Sequence, residues 1–250
     1  NISILFVGAK DRMEMEKVPD AGYKIEGLWI SGFQRSLSRK NLIFPFKLIS
    51  SIIKSQKIVR KFKADLVIGT GGFASGPLLY VASKKGIPSI IQEQNSYPGI
   101  TNKILSKYVD IVCVAYDKMD RFFPSEKIEF TGNPIRKVIL DFSNKRDEGK
   151  ELFKVDNGKK TILVIGGSLG ARTINETIGE NLDIFAKNNL NLIWQTGISY
   201  ENQSKGLIQK LDIKGINAHV FIKEMDKAYA AADIIISRSG AIAISELCLI

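Results

Sequence analysis

A short apolar strand followed by a glycine-rich turn and a helix occurs three times in this chain. The copies are ADLVIGTGGFASGP at residues 64–77, TILVIGGSLGA at 161–171 and DIIISRSGAIAISE at 233–246. Glycine in such a turn lets a ligand reach the backbone, and the N–H groups that open the next helix favour an anion. One copy would be a weak indication, because most strand-to-helix turns in α/β proteins contain glycine. Three copies predict a diphosphate held between two lobes.

The composition is that of an ordinary globular protein. The chain has 250 residues, 44% of them hydrophobic and 25% charged, which suffices for two domains of moderate size. The two cysteines, Cys113 and Cys248, lie in apolar runs, so we expect no disulfide and a reducing, cytoplasmic setting. No apolar run has the length of a membrane span, and no signal-peptide pattern opens the chain. We therefore expect neither a secreted nor an integral membrane protein.

Strands and helices alternate in the predicted secondary structure. Strands are predicted at residues 2–7, 24–30, 65–68, 88–92, 111–114, 128–130, 161–165, 190–195, 218–222 and 233–237. Helices are predicted at residues 44–62, 77–85, 101–107, 171–185, 200–211 and 225–231. Strands rich in Ile, Val and Leu without alternation are typical of parallel sheets covered on both faces. The sequence therefore predicts an α/β fold with two doubly wound domains, divided as 1–136 and 137–250 where the charged stretch 141–160 interrupts the alternation.

Basic residues are concentrated in one segment. Residues 31–63 contain nine Lys or Arg and no acid to oppose them. Apolar residues recur there at helical spacing at Leu42, Phe46, Ile49 and Ile53, and the apolar side is widened by Ile43, Phe44, Ile52, Ile58 and Val59. Such a helix can lie on an anionic membrane surface. Alternatively, and more commonly, it packs its apolar stripe on a sheet and leaves its lysines in solvent. We expect no nucleic-acid partner, because no basic strand interleaved with aromatic residues and no nucleic-acid motif occurs.

Both ends of the chain fall inside apolar elements. Residues 2–7 have the pattern of a central strand with no element before it, and ISELCLI at the other end has that of a helix without a cap. We therefore expect an internal stretch of a longer protein.

Four motifs are together more specific than any single glycine turn. They are GTGGFASGPLLYVASKKGIPSIIQEQN, GNPIR, GGSLGA and FIKEMDKAYAAADIIISRSGAIAISE. In order and spacing they resemble the MurG family of lipid-linked N-acetylglucosaminyltransferases of peptidoglycan synthesis. The resemblance implies a GT-B fold, in which two Rossmann-like domains face a cleft. It also implies inverting transfer of N-acetylglucosamine from UDP-GlcNAc to lipid I, forming lipid II, without cofactor or metal. The enzyme would be peripheral on the cytoplasmic face of the bacterial cell membrane.

The resemblance assigns donor-binding roles near the domain boundary. Asn95, which ends QEQN, is expected to contact the donor sugar, because an amide both donates to and accepts from hydroxyls. Otherwise it is a turn-forming asparagine. Arg136, which ends GNPIR, is expected near the donor diphosphate, where a permanent cation offsets phosphate charge. Otherwise it is a surface arginine of the linker.

In the second domain the resemblance assigns the rest of the nucleotide site. Ser168 is expected to bond a donor phosphate, or to cap the next helix. The backbone of Ile222 is expected to hold the uracil edge, or the residue is simply part of a core strand. Glu246 is expected to bridge the ribose hydroxyls, or with Ser245 to form an ordinary polar helix face. The positions expected to offer N–H groups to the diphosphate are Ala241, Ile242, Ala243, Ile244 and Ser245.

Fewer residues of this chain can be assigned to acceptor binding or to the catalytic base. By resemblance, the loop of Gly69, Gly71 and Gly72 approaches the lipid I diphosphate. Glu93 could assist acceptor deprotonation or act as a structural hydrogen-bonding group. The only histidine, His219, is interpreted as structural.

The chain departs from the family pattern at three places. Gln92 replaces the histidine of the HEQN motif. The family's glycine loop with its candidate catalytic histidine is expected before Asn1, and the glutamines that read the sugar hydroxyls after Ile250. We therefore predict no catalytic residue within the chain and expect these residues alone to lack transferase activity.

Two other functions remain open from the sequence. One is a different GT-B enzyme on the same donor, such as a UDP-GlcNAc epimerase, although that chemistry needs cleft carboxylates and histidines, and this chain has a single histidine. The other is a sugar-nucleotide-binding fragment without activity.

Overall fold

The chain divides into two compact units, Asn1–Asn133 and Pro134–Ile250. The computed structural model describes residues 2–32, 42–167, 169–211 and 214–250.

The first unit is built from parallel strands and helices. In chain order its elements are β1 (Leu5–Ala9), α1 (Glu14–Asp20), β2 (Lys24–Leu28), α2 (Phe44–Phe62), β3 (Val67–Gly69), α3 (Ser75–Lys84), β4 (Ser89–Glu93), α4 (Ile100–Leu105), β5 (Ile111–Val114) and β6 (Ile128–Phe130). Strands β1 and β2 form a parallel pair, and the other four form a parallel sheet in the order β3-β4-β5-β6. Helix α1, which contains Pro19, was not predicted.

The second unit contains one parallel sheet. In chain order its elements are α5 (Lys137–Leu140), α6 (Arg146–Leu152), β7 (Lys160–Ile165), α7 (Arg172–Glu180), α8 (Leu182–Lys187), β8 (Leu190–Gln195), α9 (Glu201–Leu211), β9 (Ile216–His219), α10 (Met225–Ala231), β10 (Ile234–Ser237) and α11 (Ala241–Leu247). The strand order is β10-β7-β8-β9, with Val164 paired to Trp194 on one side and to Ile236 on the other.

Each face of this sheet is covered by a separate apolar core. Leu163 and Ile193 belong to the core that includes helix α10, whereas the alternate residues Val164 and Trp194 belong to the core under α7 and α8. Neighbouring residues of a strand point to opposite faces, and in the two central strands residues 163–165 and 191–195 are all buried. The predicted doubly wound α/β architecture is confirmed.

Two predictions in the second unit are wrong. The helix predicted at residues 171–185 is two helices, because the Asn181 side chain donates to the Thr177 carbonyl oxygen at 2.8 Å and ends α7 there. The charged stretch 141–160 is not merely a break, since it contains α6. Ion pairs hold α6 in place, with Arg146 on Asp233 at 2.9 Å and Glu148 on Lys227 at 2.9 Å.

Helix α2 begins and ends at the predicted residues, but its apolar stripe faces solvent. The helix instead packs through Ser51, Ser55, Ile58 and Val59, which are buried. Phe46 is 68% exposed. The other exposed members of the stripe are Leu42, Ile49 and Ile53. The part of the apolar side that includes Ile58 thus packs on the core beside β1 and β2, as in the alternative, whereas Phe46 and the other exposed residues do not.

Strand β2 places an acidic residue beside α2. Lys54 Nζ lies 3.0 Å from Glu26 Oε2 and donates to the Gly27 carbonyl oxygen at 2.9 Å. The expectation that no acid opposes the basic segment is thus wrong for Lys54, whereas Lys57 and Lys61 are exposed. Within the described ranges, no helix combines the length and the apolar character needed to cross a bilayer. The basic segment's first residues, 33–41, lie outside the described part of the chain.

Candidate functional site

A cavity of about 660 Å³ opens in the second unit at the carboxyl ends of its strands. Its wall combines residues that end or follow β7, β8 and β10 with residues of α11. Examples are Gly167, Gln195, Ser237 and Ala243. Ligands of open parallel sheets bind at this edge, and the volume is that of a small-molecule site.

The turn after β7 exposes its backbone to this cavity. Gly167 and Gly170 have φ angles of 84° and 81°, in the left-handed region that favours glycine. A side chain at Gly170 would collide with the Thr196 carbonyl oxygen. Gly166 and Gly167 line the cavity, so a ligand there meets main-chain atoms directly.

Gln195 connects this turn to the opposite wall. Its Nε2 donates to the Gly167 carbonyl oxygen at 3.0 Å, and its Oε1 accepts from the Ile222 N–H at 2.9 Å. The strand predicted at 218–222 runs from Ile216 to His219, so Ile222 lies in the loop beyond it. The Gln195 side chain therefore supplies the acceptor that a strand pairing would otherwise give to the Ile222 N–H, and it fixes the Ile222 backbone at the cavity wall.

Arg136, Glu246 and Tyr229 form a hydrogen-bonded cluster in the same wall. Arg136 Nε and Nη2 lie 3.1 Å and 3.0 Å from Glu246 Oε1, and Nη2 lies 3.3 Å from Oε2. The Tyr229 hydroxyl donates to Oε2 at 3.0 Å. The Glu246 side chain is 5% exposed and that of Arg136 is 50% exposed. Burial first, and then the charge of Glu246, raise the pKa of Tyr229, so its hydroxyl remains a donor.

The structure brings five of the predicted donor-site residues to this cavity: Arg136, Ile222, Ile242, Ala243 and Glu246. Ala241, Ile244 and Ser245 belong to the same helix but are not among the described residues that line it. The Ser245 hydroxyl donates to the Ala241 carbonyl oxygen at 2.9 Å. Ser168 lies outside the described residues.

Asn95 belongs to the first unit and follows β4. Its backbone N–H and its Nδ2 both donate to Glu93 Oε1 at 3.0 Å. The other oxygen of Glu93 accepts from the Gly99 N–H at 3.1 Å and from Asn102 Nδ2 at 2.9 Å. Glu93 is buried, and its carboxylate shapes the loop that presents the exposed Asn95. This arrangement favours the structural role of Glu93 over acceptor deprotonation.

Replacing Glu93 with glutamine should therefore lower stability. The new NH₂ group would face N–H donors in place of an acceptor, and we expect a loss of about 1–2 kcal/mol in the free energy of unfolding. Urea denaturation at neutral pH measures this change. Glu129→Gln, on exposed strand β6, is the matched control and should leave stability nearly unchanged. Equal stability of Glu93→Gln and wild type would contradict the structural role.

The first glycine turn has the same character as the one after β7. Gly71 and Gly72 have φ angles of 93° and 78°, and Ser75 Oγ donates to the Gly71 carbonyl oxygen at 2.5 Å. Helix α3 begins at Ser75, so the turn leads directly into a helix N-terminus.

His219 lies at the end of β9 and is not among the described residues that line the cavity. Its ring packs edge-on against Phe153, with centroids 5.3 Å apart, and burial lowers its pKa. A neutral imidazole packed on a phenyl ring is consistent with the structural interpretation.

Sequence reasoning missed Gln195 and Tyr229. Gln195 carried a usable signal, because a polar residue that ends a buried parallel strand points to the ligand edge of the sheet. Tyr229 carried none, because within AYAAAD it resembles any aromatic residue of a buried helix, and only the structure shows its contact with Glu246.

Comparison with known proteins identifies the family. Residues 1–114 match the glycosyltransferase family 28 N-terminal domain, and residues 161–250 match the C-terminal domain of the same family. The chain is 57% identical over its whole length to a UDP-N-acetylglucosamine–N-acetylmuramyl-(pentapeptide) pyrophosphoryl-undecaprenol N-acetylglucosamine transferase of Christiangramia forsetii, of which it spans 67%. A protein of the same name from Flavobacterium psychrophilum is 54% identical, with the same coverage.

Solved structures agree with this assignment. The crystal structure of Acinetobacter baumannii MurG matches with a TM-score of 0.66 and 28% identity, over 99% of this chain and 67% of that one. A UDP-GlcNAc 2-epimerase of Neisseria meningitidis, bound to UDP-GlcNAc, matches with a TM-score of 0.61 at 15% identity, which shows a shared fold alone. The chain belongs to the family of UDP-N-acetylglucosamine–N-acetylmuramyl-(pentapeptide) pyrophosphoryl-undecaprenol N-acetylglucosamine transferases, within glycosyltransferase family 28.

Proposed function

We propose that this protein transfers N-acetylglucosamine from UDP-GlcNAc to the muramyl sugar of lipid I, and that the cavity of the second unit holds the UDP part of the donor. The observation that carries the proposal is the combination, in one cavity, of an exposed glycine backbone, two arginines and one buried carboxylate. Arg136 and Arg238 supply positive charge, and Glu246 supplies the carboxylate. A nucleoside diphosphate presents phosphates, which positive charge stabilises, and ribose hydroxyls, which a carboxylate can accept.

Different residues of the cavity wall are proposed to bind the uracil, the ribose and the diphosphate. The uracil edge meets the backbone of Ile222, which Gln195 holds in place. The ribose hydroxyls donate to Glu246, since a carboxylate accepts two neighbouring hydroxyls. The diphosphate lies over Gly166 and Gly167, near Arg136. Ser168 and the N–H groups at residues 241–245 are proposed to contact the diphosphate as well.

In the reaction the acceptor hydroxyl attacks the anomeric carbon of the donor sugar. The bond between that carbon and the UDP oxygen breaks, and the configuration at the carbon inverts. Negative charge builds up on the departing diphosphate, where backbone N–H groups and Arg136 stabilise it. The residue that takes the acceptor proton is not assigned to any position in this chain.

The first unit supplies the acceptor side of the proposal. The turn at Gly71 and Gly72 offers main-chain N–H groups for the diphosphate of the lipid acceptor. Asn95 is proposed to contact the donor sugar, and the Glu93 carboxylate fixes its amide.

Helix α2 provides a proposed attachment to the cytoplasmic membrane surface. Its exposed stripe offers apolar side chains for the acyl boundary, and Lys57 and Lys61 offer charge for anionic headgroups. A lipid-linked acceptor requires such proximity, and a peripheral location on the cytoplasmic face would satisfy it.

Calorimetry with nucleotides tests the donor assignment. We expect UDP and UDP-GlcNAc to bind the protein, and ADP to bind at least about tenfold more weakly, because adenine lacks the edge that the Ile222 backbone would hold. The same comparison separates the proposal from a general phosphate site. Equal affinity for UDP and ADP would contradict it.

A further inference from the structure

The Tyr229 hydroxyl touches the carboxylate that the proposed function assigns to the ribose. We propose that Tyr229 is a positioning residue, which holds Glu246 in the orientation that receives the two ribose hydroxyls of the donor nucleotide. The inference rests on the proposed function and extends it to a buried residue that is not among the described residues lining the cavity.

The Glu246 carboxylate is already saturated without a ligand. A carboxylate offers about four acceptor positions. Arg136 takes part in three contacts with it, at 3.1, 3.0 and 3.3 Å, and Tyr229 makes the fourth, at 3.0 Å. Two ribose hydroxyls can therefore bind only when one of these partners withdraws.

Burial decides which partner withdraws. The Arg136 side chain is half exposed, so it can move into solvent or toward a phosphate at little cost. Tyr229 is 3% exposed and belongs to the apolar core on that face of the sheet. Its helix, α10, is fixed at its first turn by the ion pair between Asp226 and Lys145. Arg136 therefore leaves, and Tyr229 stays.

The exchange gives Tyr229 a role that appears only with the nucleotide bound. While Arg136 is in place, the carboxylate is held from two sides. Once the ribose has replaced Arg136, Tyr229 is the remaining protein partner of the Glu246 carboxylate among the hydrogen bonds of the described residues. Without its hydroxyl, the carboxylate loses the contact that sets its orientation toward the ribose.

The experiment compares UDP with 2′,3′-dideoxy-UDP by calorimetry, on wild type and on Tyr229→Phe, which keeps the ring. We expect Tyr229→Phe to weaken UDP binding by about 3- to 10-fold and to leave the affinity for the dideoxy nucleotide unchanged, because that ligand has no hydroxyl for Glu246. On a Glu246→Ala background, Tyr229→Phe should have no further effect on UDP. Tyr200→Phe is the matched control, since Tyr200 is also a buried tyrosine of the second unit but belongs to the core on the other face of the sheet.

The outcomes separate the inference from the function on which it rests. If Glu246→Ala weakens UDP but Tyr229→Phe does not, the positioning role is wrong and the ribose assignment stands. Equal losses for UDP and the dideoxy nucleotide, or an undiminished effect on the Glu246→Ala background, would also overturn it by revealing general damage to the cavity. If wild type fails to bind UDP, the proposed function is wrong and the inference falls with it.

Discussion

Replacing Glu246 with alanine should weaken UDP binding by about 1–3 kcal/mol, which corresponds to about 5- to 150-fold in the dissociation constant. The proposed site would lose two hydrogen bonds from the ribose to a charged acceptor. The loss should be measurable by calorimetry at neutral pH. We expect UDP-GlcNAc to follow UDP, because both ligands carry the same ribose.

The control for this prediction is another glutamate of the second unit. Glu176→Ala removes a carboxylate that pairs on the surface with Arg172, at 2.7 Å, and should leave UDP affinity unchanged. Thermal unfolding of each variant shows whether the unit is still folded, since Tyr229 and Arg136 lose a partner in Glu246→Ala. Wild-type affinity for UDP in a folded Glu246→Ala protein would refute the ribose assignment.

Binding to anionic vesicles should fall by about tenfold or more when Lys57 and Lys61 are both reversed to glutamate, because each basic residue near such a surface contributes about 1 kcal/mol. Replacing the exposed Phe46, Ile49 and Ile53 with serine should produce a similar or larger loss, because it removes the apolar contact. Co-sedimentation with vesicles, neutral or containing anionic lipid, measures both effects. Salt should weaken the binding, since the charge interaction is screened within about 8–10 Å at physiological ionic strength.

Matched variants on the second unit distinguish specific membrane binding by α2 from non-specific adsorption to vesicles. Lys210→Glu/Lys214→Glu changes the charge equally at exposed positions at and just after the end of α9, and Ile184→Ser/Ile198→Ser removes exposed apolar side chains. Neither should affect vesicle binding. Lys54 is left intact, because it is engaged with Glu26 and its loss would disturb the contact with β2. Vesicle binding that ignores lipid charge and survives both sets of α2 substitutions would contradict the membrane proposal.

The fold was predictable from the sequence to the extent that local pattern decides it. Helix α2 and strands β5 and β8 have the predicted bounds, because apolar runs and their periodicity are local features. The side of α2 that is buried was not predictable in this way. Ser51 and Ser55 pack inward while Phe46 faces out, and this choice depends on what the rest of the unit offers the helix.

The candidate site likewise contains residues that local pattern indicates and residues that only the folded structure reveals. The glycine turns and Glu246 carry recognisable patterns, so they could be proposed from the sequence. Tyr229 and Gln195 act through partners that are distant in the sequence, and their hydrogen bonds to Glu246 and Ile222 exist only once the chain has folded. For Lys54 the missing information was the acidic residue on a neighbouring strand, which no scan of the basic segment alone can supply.

The contact between Asn95 and Glu93 also makes the first unit sensitive to chemical ageing. Deamidation of Asn95 would replace its Nδ2 group, which lies 3.0 Å from Glu93 Oε1, with a second carboxylate oxygen. Two carboxylates at that distance repel each other, and this repulsion favours an open loop. A slow loss of ammonia at one side chain would thus disturb the loop that Glu93 otherwise holds closed, without any change elsewhere in the sequence.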